Sequence, residues 1–114
     1  MEKSSECHLI TGNPTKHDLS PIRTHFDIVE TYEEETHLFR RLIKCKKCGQ
    51  LYFYEFFEQV DWRNGDDPQY CTFIPVNSIQ EARNLNKLST LALLSVSPQL
   101  RKDFTDRINI YWVR

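Results

Sequence analysis

The stretch Cys45-Lys46-Lys47-Cys48-Gly49 decides how this chain is read. Two thiols two residues apart, followed by a glycine, match a turn that brings two sulfurs to one metal ion, and the glycine suits the positive φ on which such a turn ends. The residues that follow, Gln50-Leu51-Tyr52-Phe53-Tyr54-Glu55-Phe56-Phe57-Glu58, are rich in aromatics and read as a strand. The preceding segment carries Leu38, Phe39, Leu42 and Ile43 and ends at the turn, which favours a strand over a helix. The sequence therefore predicts an antiparallel hairpin, 37–45 against 49–58, with a metal clamping one end of the sheet.

Further out, residues 1–24 mix Ser, Thr, Asn, Pro, His and Gly and read as a loop-rich lead in need of an anchor. Phe26, Ile28 and Tyr32 alternate with polar residues as in a half-buried strand, with a hairpin turn expected at Glu33-Glu34-Glu35. Residues 61–70 are dense in turn formers and predict an exposed loop, followed by a short strand, Cys71 to Val76. Ser78 with Glu81 forms a capping box, and Ile79, Ala82, Leu85, Leu88, Leu91 and Leu94 recur at helical spacing, so one long helix is expected from Ser78 to Ser95. A short helix is expected over Leu100 to Asp106. Ile108, Ile110 and Trp112 then alternate as a terminal strand. The expected fold is one α+β domain, an antiparallel sheet around a zinc-ribbon-like knuckle hairpin with one long helix packed on it.

At 114 residues the chain suits one domain with a modest core, small enough for a metal to add noticeably to its stability. Fifteen basic against sixteen acidic residues, a net charge of -1, supply no global field for nucleic acid or an anionic membrane. No apolar run approaches the roughly 20 residues of a bilayer span, and MEKSSECHLI lacks the apolar core of a secretory signal, so a cytoplasmic protein is expected. In that reducing setting four cysteines point to metal rather than disulfides. Zinc accepts thiolate and imidazole without redox demands, and is the expected ion, in a structural role. Cys45 and Cys48 supply two ligands, Cys7 is the best third, and the fourth is taken as Cys71, with His8, His17, His25 and His37 as alternatives.

Glu55, Glu58, Asp61, Asp66 and Asp67 fall among Trp62, Tyr70 and other aromatics, a composition suited to a basic partner: rings anchor, acids steer and pair. A solvated sheet rim explains the same carboxylates without a partner. A second acidic stretch, Asp27, Glu30, Glu33, Glu34 and Glu35, extends the patch if the strands place it alongside. Lys44, Lys46 and Lys47 make a basic turn, the basis of an alternative reading as a zinc-ribbon module that binds nucleic acid, though the neighbouring acids would repel phosphate. With three glycines and no nucleophile elbow, phosphate loop or HExxH, the sequence argues against an enzyme.

The run from Cys45 to Trp62, with Asp67-Pro68-Gln69-Tyr70 and Ile74-Pro75-Val76 downstream, resembles small bacterial CxxCG-containing proteins that include immunity proteins of contact-dependent growth inhibition and related toxin systems. The resemblance spans about residues 37–95. It implies a single-domain cytoplasmic inhibitor that occludes a basic toxin nuclease, with Glu55, Glu58, Asp61, Trp62, Asp66, Asp67 and Tyr70 as the binding surface.

Overall fold

Alternation and aromatic content shape most of this molecule into strands. The computed structural model describes residues 7–59 and 68–114. Over these residues a single antiparallel sheet forms from β1 (Phe26–Glu35), β2 (Leu38–Cys45), β3 (Leu51–Glu58), β4 (Gln69–Val76), β5 (Gln99–Phe104) and β6 (Ile108–Val113), each strand beside its neighbour in sequence. The hairpin expected on either side of Cys45–Gly49 is present as β2 and β3, with Lys44 opposite Leu51 and Leu38 opposite Phe57. It forms the middle of a six-stranded meander, so the zinc-ribbon architecture is not what is found. The turn before it lies at Thr36-His37, one step beyond the expected site, because Glu33, Glu34 and Glu35 continue β1 and pair with Arg40, Phe39 and Leu38.

Side chains alternate across the sheet, and each face is covered differently. On one face lie α1 (His8–Thr11), α2 (Lys16–Leu19) and α3 (Ile22–His25), single turns that give the loop-rich lead its shape. Cys7, Leu9 and Leu19 seal this side against Phe26, Tyr52 and Phe73, and the Trp112 indole donates to the Leu9 carbonyl at 2.8 Å. The opposite face is covered by α4 (Ile79–Leu85) and α5 (Thr90–Leu93), whose Ala82 and Leu93 pack on Leu42, Phe53, Ile74 and Val76. Ser78 caps α4 by accepting from the Glu81 amide at 3.2 Å, as the capping pattern predicts, while the Glu81 carboxylate reaches back to the Asn77 amide.

The one long helix is replaced by two short ones, and the cause is on the sheet. Arg40 of β2 reaches up to donate to the carbonyls of Asn86 (3.0 Å) and Leu88 (2.7 Å), which therefore need no further helical turn to satisfy them. Ser89 then starts afresh as the cap of α5, accepting from the Ala92 amide at 3.1 Å. The helix expected over Leu100–Asp106 is instead strand β5, paired with β4 on one side and β6 on the other.

One row of side chains runs across all six strands. Glu33, Arg40, Glu55, Thr72, Arg101 and Tyr111 are successive cross-strand partners. Its four central members are polar yet almost wholly buried: Arg40 is 6%, Glu55 2%, Thr72 2% and Arg101 8% exposed. They survive burial because each is bonded. Arg40 grips Glu55 through Nε at 3.0 Å and Nη2 at 2.9 Å, and Arg101 donates to Thr72 at 2.8 Å and to Asp103 at 3.1 Å.

Candidate functional site

The end of β2 carries the cysteine turn, and several backbone bonds fix it. Cys45 donates to the Gln50 carbonyl and accepts from the Gly49 amide at 2.8 Å, and Gly49 sits at φ +82°, the left-handed conformation that its position in the motif foretells. The Lys46 amide and ammonium bond to the carbonyls of His25 and Arg23, which ties the turn to the segment leading into β1. Cys7 arrives from the other side at the start of α1, its carbonyl accepting from Ile10 and Thr11.

Cys7, His8 and Cys45 thereby present one donor atom each, all within 4.8 Å of one another, with Cys7 Sγ 3.9 Å from His8 Nδ1. A tetrahedral zinc with bonds of about 2.3 Å to sulfur needs its ligand atoms roughly 3.5–3.8 Å apart, so closing the shell takes a shift of about 1 Å or less. Cys48, at the far corner of the turn, is close enough to share a hydrogen bond with Cys7 and stands ready as a fourth donor. Cys7 and Cys45 are buried and Cys48 is exposed. Burial pushes the Cys7 thiol up to about 12, and the neighbouring Cys45 charge adds to the shift, so these thiols repel as anions unless a cation joins them. The fully buried Tyr52 hydroxyl faces this group. Burial first and then the Cys7 side chain raise its pKa, which keeps it protonated beside Cys7 as a donor placed to support a metal-bound thiolate. Asp18 stands nearby, its carboxyl held below the ordinary range first by the Thr15 amide and further by the charges of His8 and Lys47. These residues lie close enough together to hold a metal ion.

Cys71 does not join them. It pairs with Phe56, five positions along β3 from the knuckle end of the strand, and its sulfur lies 3.7 Å from the Tyr54 hydroxyl. Burial raises its pKa, as expected of an inert core thiol. His8, which the sequence offers only as one alternative, takes its place because it adjoins Cys7 in the first turn of α1.

The acidic residues separate into three groups. Glu55 is no surface group: its carboxylate is buried against Arg40 and also accepts from Thr90 Oγ1 at 2.9 Å. Aromatic neighbours in β3 mark a half-exposed patch in the sequence, yet the strand is covered on both faces. Glu58 is partly exposed and accepts from Gln69 at 3.3 Å, with His37 at 2.8 Å, and its carboxyl is held below the ordinary range by His37 first. Tyr70 is partly exposed and stacks on Phe57 with ring centres 6.4 Å apart. Asp61, Trp62, Asp66 and Asp67 lie outside the described residues. The Arg40–Glu55 pair escapes sequence reasoning altogether, since only the register places those two residues opposite each other. Among the described residues no helix is long and apolar enough to cross a membrane. No protein-family model, curated protein or solved structure matches this chain.

Proposed function

We propose that the protein is a non-enzymatic inhibitor that neutralises a basic toxin domain, and that a structural zinc held by Cys7, His8, Cys45 and Cys48 braces its sheet. The observation that carries the toxin reading is a cluster of acidic residues, Glu33, Glu34, Glu35 and Glu58, at one end of the sheet. Glu34 and Glu35 are exposed where β1 turns at Thr36-His37, and the Glu58 amide donates to the His37 carbonyl across that end. Gln59 donates to Pro68 there as well. The exposed Lys44, Lys46 and Lys47 stand at the opposite end of the same strands. A chain of net charge -1 is thus polarised, with an acidic end that steers a cationic protein and pairs with it.

Zinc in this reading does no chemistry on a substrate. It joins the segment around α1 to the β2–β3 turn, two parts of the chain far apart in sequence, and so stiffens the platform that bears the acids. The test is association with a basic toxin domain, sought among the products of the genes adjacent to this one. Changing Glu33, Glu34 and Glu35 together to Gln should slow association and flatten its salt dependence. Unchanged rates and salt response would remove the acidic end from the reading. The exposed lysines favour a second reading, nucleic-acid binding through the cysteine turn, and a gel shift that weakens steeply with salt would support it over the first.

A further inference from the structure

Beside the acidic end, α5 and the sheet enclose an open groove of about 410 Å³. Phe57, Tyr70, Leu91 and Leu94 make its apolar walls, and Leu91 is left 77% exposed at the rim. On the floor the buried row surfaces as Glu55, Thr72 and Arg101. Glu55 is the informative group. All three of its donors, Arg40 Nε, Arg40 Nη2 and Thr90 Oγ1, converge on Oε2. Oε1 accepts from none of the described residues, and it is not among the sealed, unpartnered atoms of the interior. A carboxylate oxygen takes two donors, so a nearly buried anion keeps acceptor capacity on the side the groove reaches. Arg101 does not cancel this attraction, because Asp103 at 3.1 Å, Thr72 and Gln99 already engage its guanidinium.

We propose that the groove receives the side chain of a lysine or arginine from the protein partner, its head bonded to Glu55 Oε1 and its aliphatic stem held between the Phe57–Tyr70 stack and Leu91 with Leu94. This rests on the reading above that the partner is basic, and it converts a diffuse acidic surface into one anchored contact. The complementarity is specific in shape and charge. Apolar walls suit methylenes, a single open carboxylate oxygen suits one cationic head, and the acidic end beside the groove draws cations toward it.

The test uses n-pentylammonium as a stand-in for a lysine side chain, with 1-pentanol as the uncharged control, followed by methyl and carboxyl NMR shifts on the zinc-loaded full chain. Pentylammonium should shift the Leu91 and Leu94 methyls and the Glu55 carboxyl saturably, and bind about tenfold more tightly than pentanol, the margin expected of a charge-assisted over a neutral hydrogen bond. Leu91→Arg, an exposed change that leaves the Arg40–Glu55 pair intact, should weaken pentylammonium by at least about tenfold and spare pentanol. Equal binding of the two probes, no shift in these residues, or indifference to Leu91→Arg overturns the proposal even if the Glu33, Glu34 and Glu35 substitutions still slow toxin association. Selective amine binding without toxin association upholds the groove and counts against the partner reading alone.

Discussion

Replacing Arg40 with methionine tests whether the buried row holds the two faces of the protein together. The guanidinium makes two bonds to Glu55 and two to the carbonyls of Asn86 and Leu88. Removing it strands a carboxylate that is only 2% exposed, a loss of about 3–5 kcal/mol for a broken buried pair. The two carbonyls are partly buried and can recruit water, so they add about 1 kcal/mol rather than the full value of two bonds. A total of about 4–6 kcal/mol compares with a stability of about 6–17 kcal/mol for a chain of this length, so the variant should fold marginally. Converting Glu55 to methionine as well should restore most of the loss, because an apolar pair leaves no uncompensated charge. Urea denaturation followed by circular dichroism gives all four corners of the cycle, and hydrogen exchange at Asn86–Ser89 should quicken in Arg40→Met. A single variant within about 1 kcal/mol of the parent, or strictly additive losses, would refute the reasoning.

Further outcomes follow from the cysteine turn and from the ion pair at the α4 surface. Cys7→Ser or Cys45→Ser should abolish stoichiometric zinc by elemental analysis while Cys71→Ser retains it, and chelation of the parent should lower its Tm by at least about 10 °C. Acidification should release the zinc as protons compete for the thiolates, and zinc retained by Cys7→Ser would discard the ligand set. Gly49→Ala should cost about 1–2 kcal/mol in thermal melts, all of it from the positive φ, since an added Cβ there meets nothing within 4 Å. Glu30 accepts from Arg83 and from the Tyr32 hydroxyl, Arg83 first, and its carboxyl is thereby held below its ordinary 4.5. Its contribution to stability is complete above the unfolded value and fades as pH falls through the lower folded one. Arg83→Met should move the NMR titration midpoint of Glu30 up toward 4.5, and an unmoved midpoint would show that the ion pair does not set it.

Hydrophobic alternation makes β1 and β6 legible, and the aromatic run beside the cysteine turn makes β2 and β3 legible. Strand β5 is hidden because its polar residues point inward. Gln99 and Arg101 are buried on one face and Leu100 on the other, so hydrogen-bonding groups occupy interior positions and the charge pattern imitates a surface helix. The break between α4 and α5 is equally silent. Helical spacing runs straight through Leu85, Leu88 and Leu91, and the group that ends α4, Arg40, comes from 46 positions earlier. At the candidate metal site, the Cys45–Gly49 turn and Cys7 can be read from spacing and chemistry. Choosing His8 over Cys71 depends on where α1 lands, which no local pattern encodes.

Strand β3 has little in its own hydrophobicity to tell one face from the other. Tyr52, Tyr54 and Phe56 lie on one side and Phe53 and Phe57 on the other, so sliding it one position past β2 would exchange one set of rings for another at small loss. Glu55 removes that ambiguity. A slip would carry its charge to the Tyr54 side and leave Arg40 facing a ring, two uncompensated ions in a dry interior. The carboxylate thus works as an alignment key, one acid that indexes an otherwise ambidextrous strand to its neighbours.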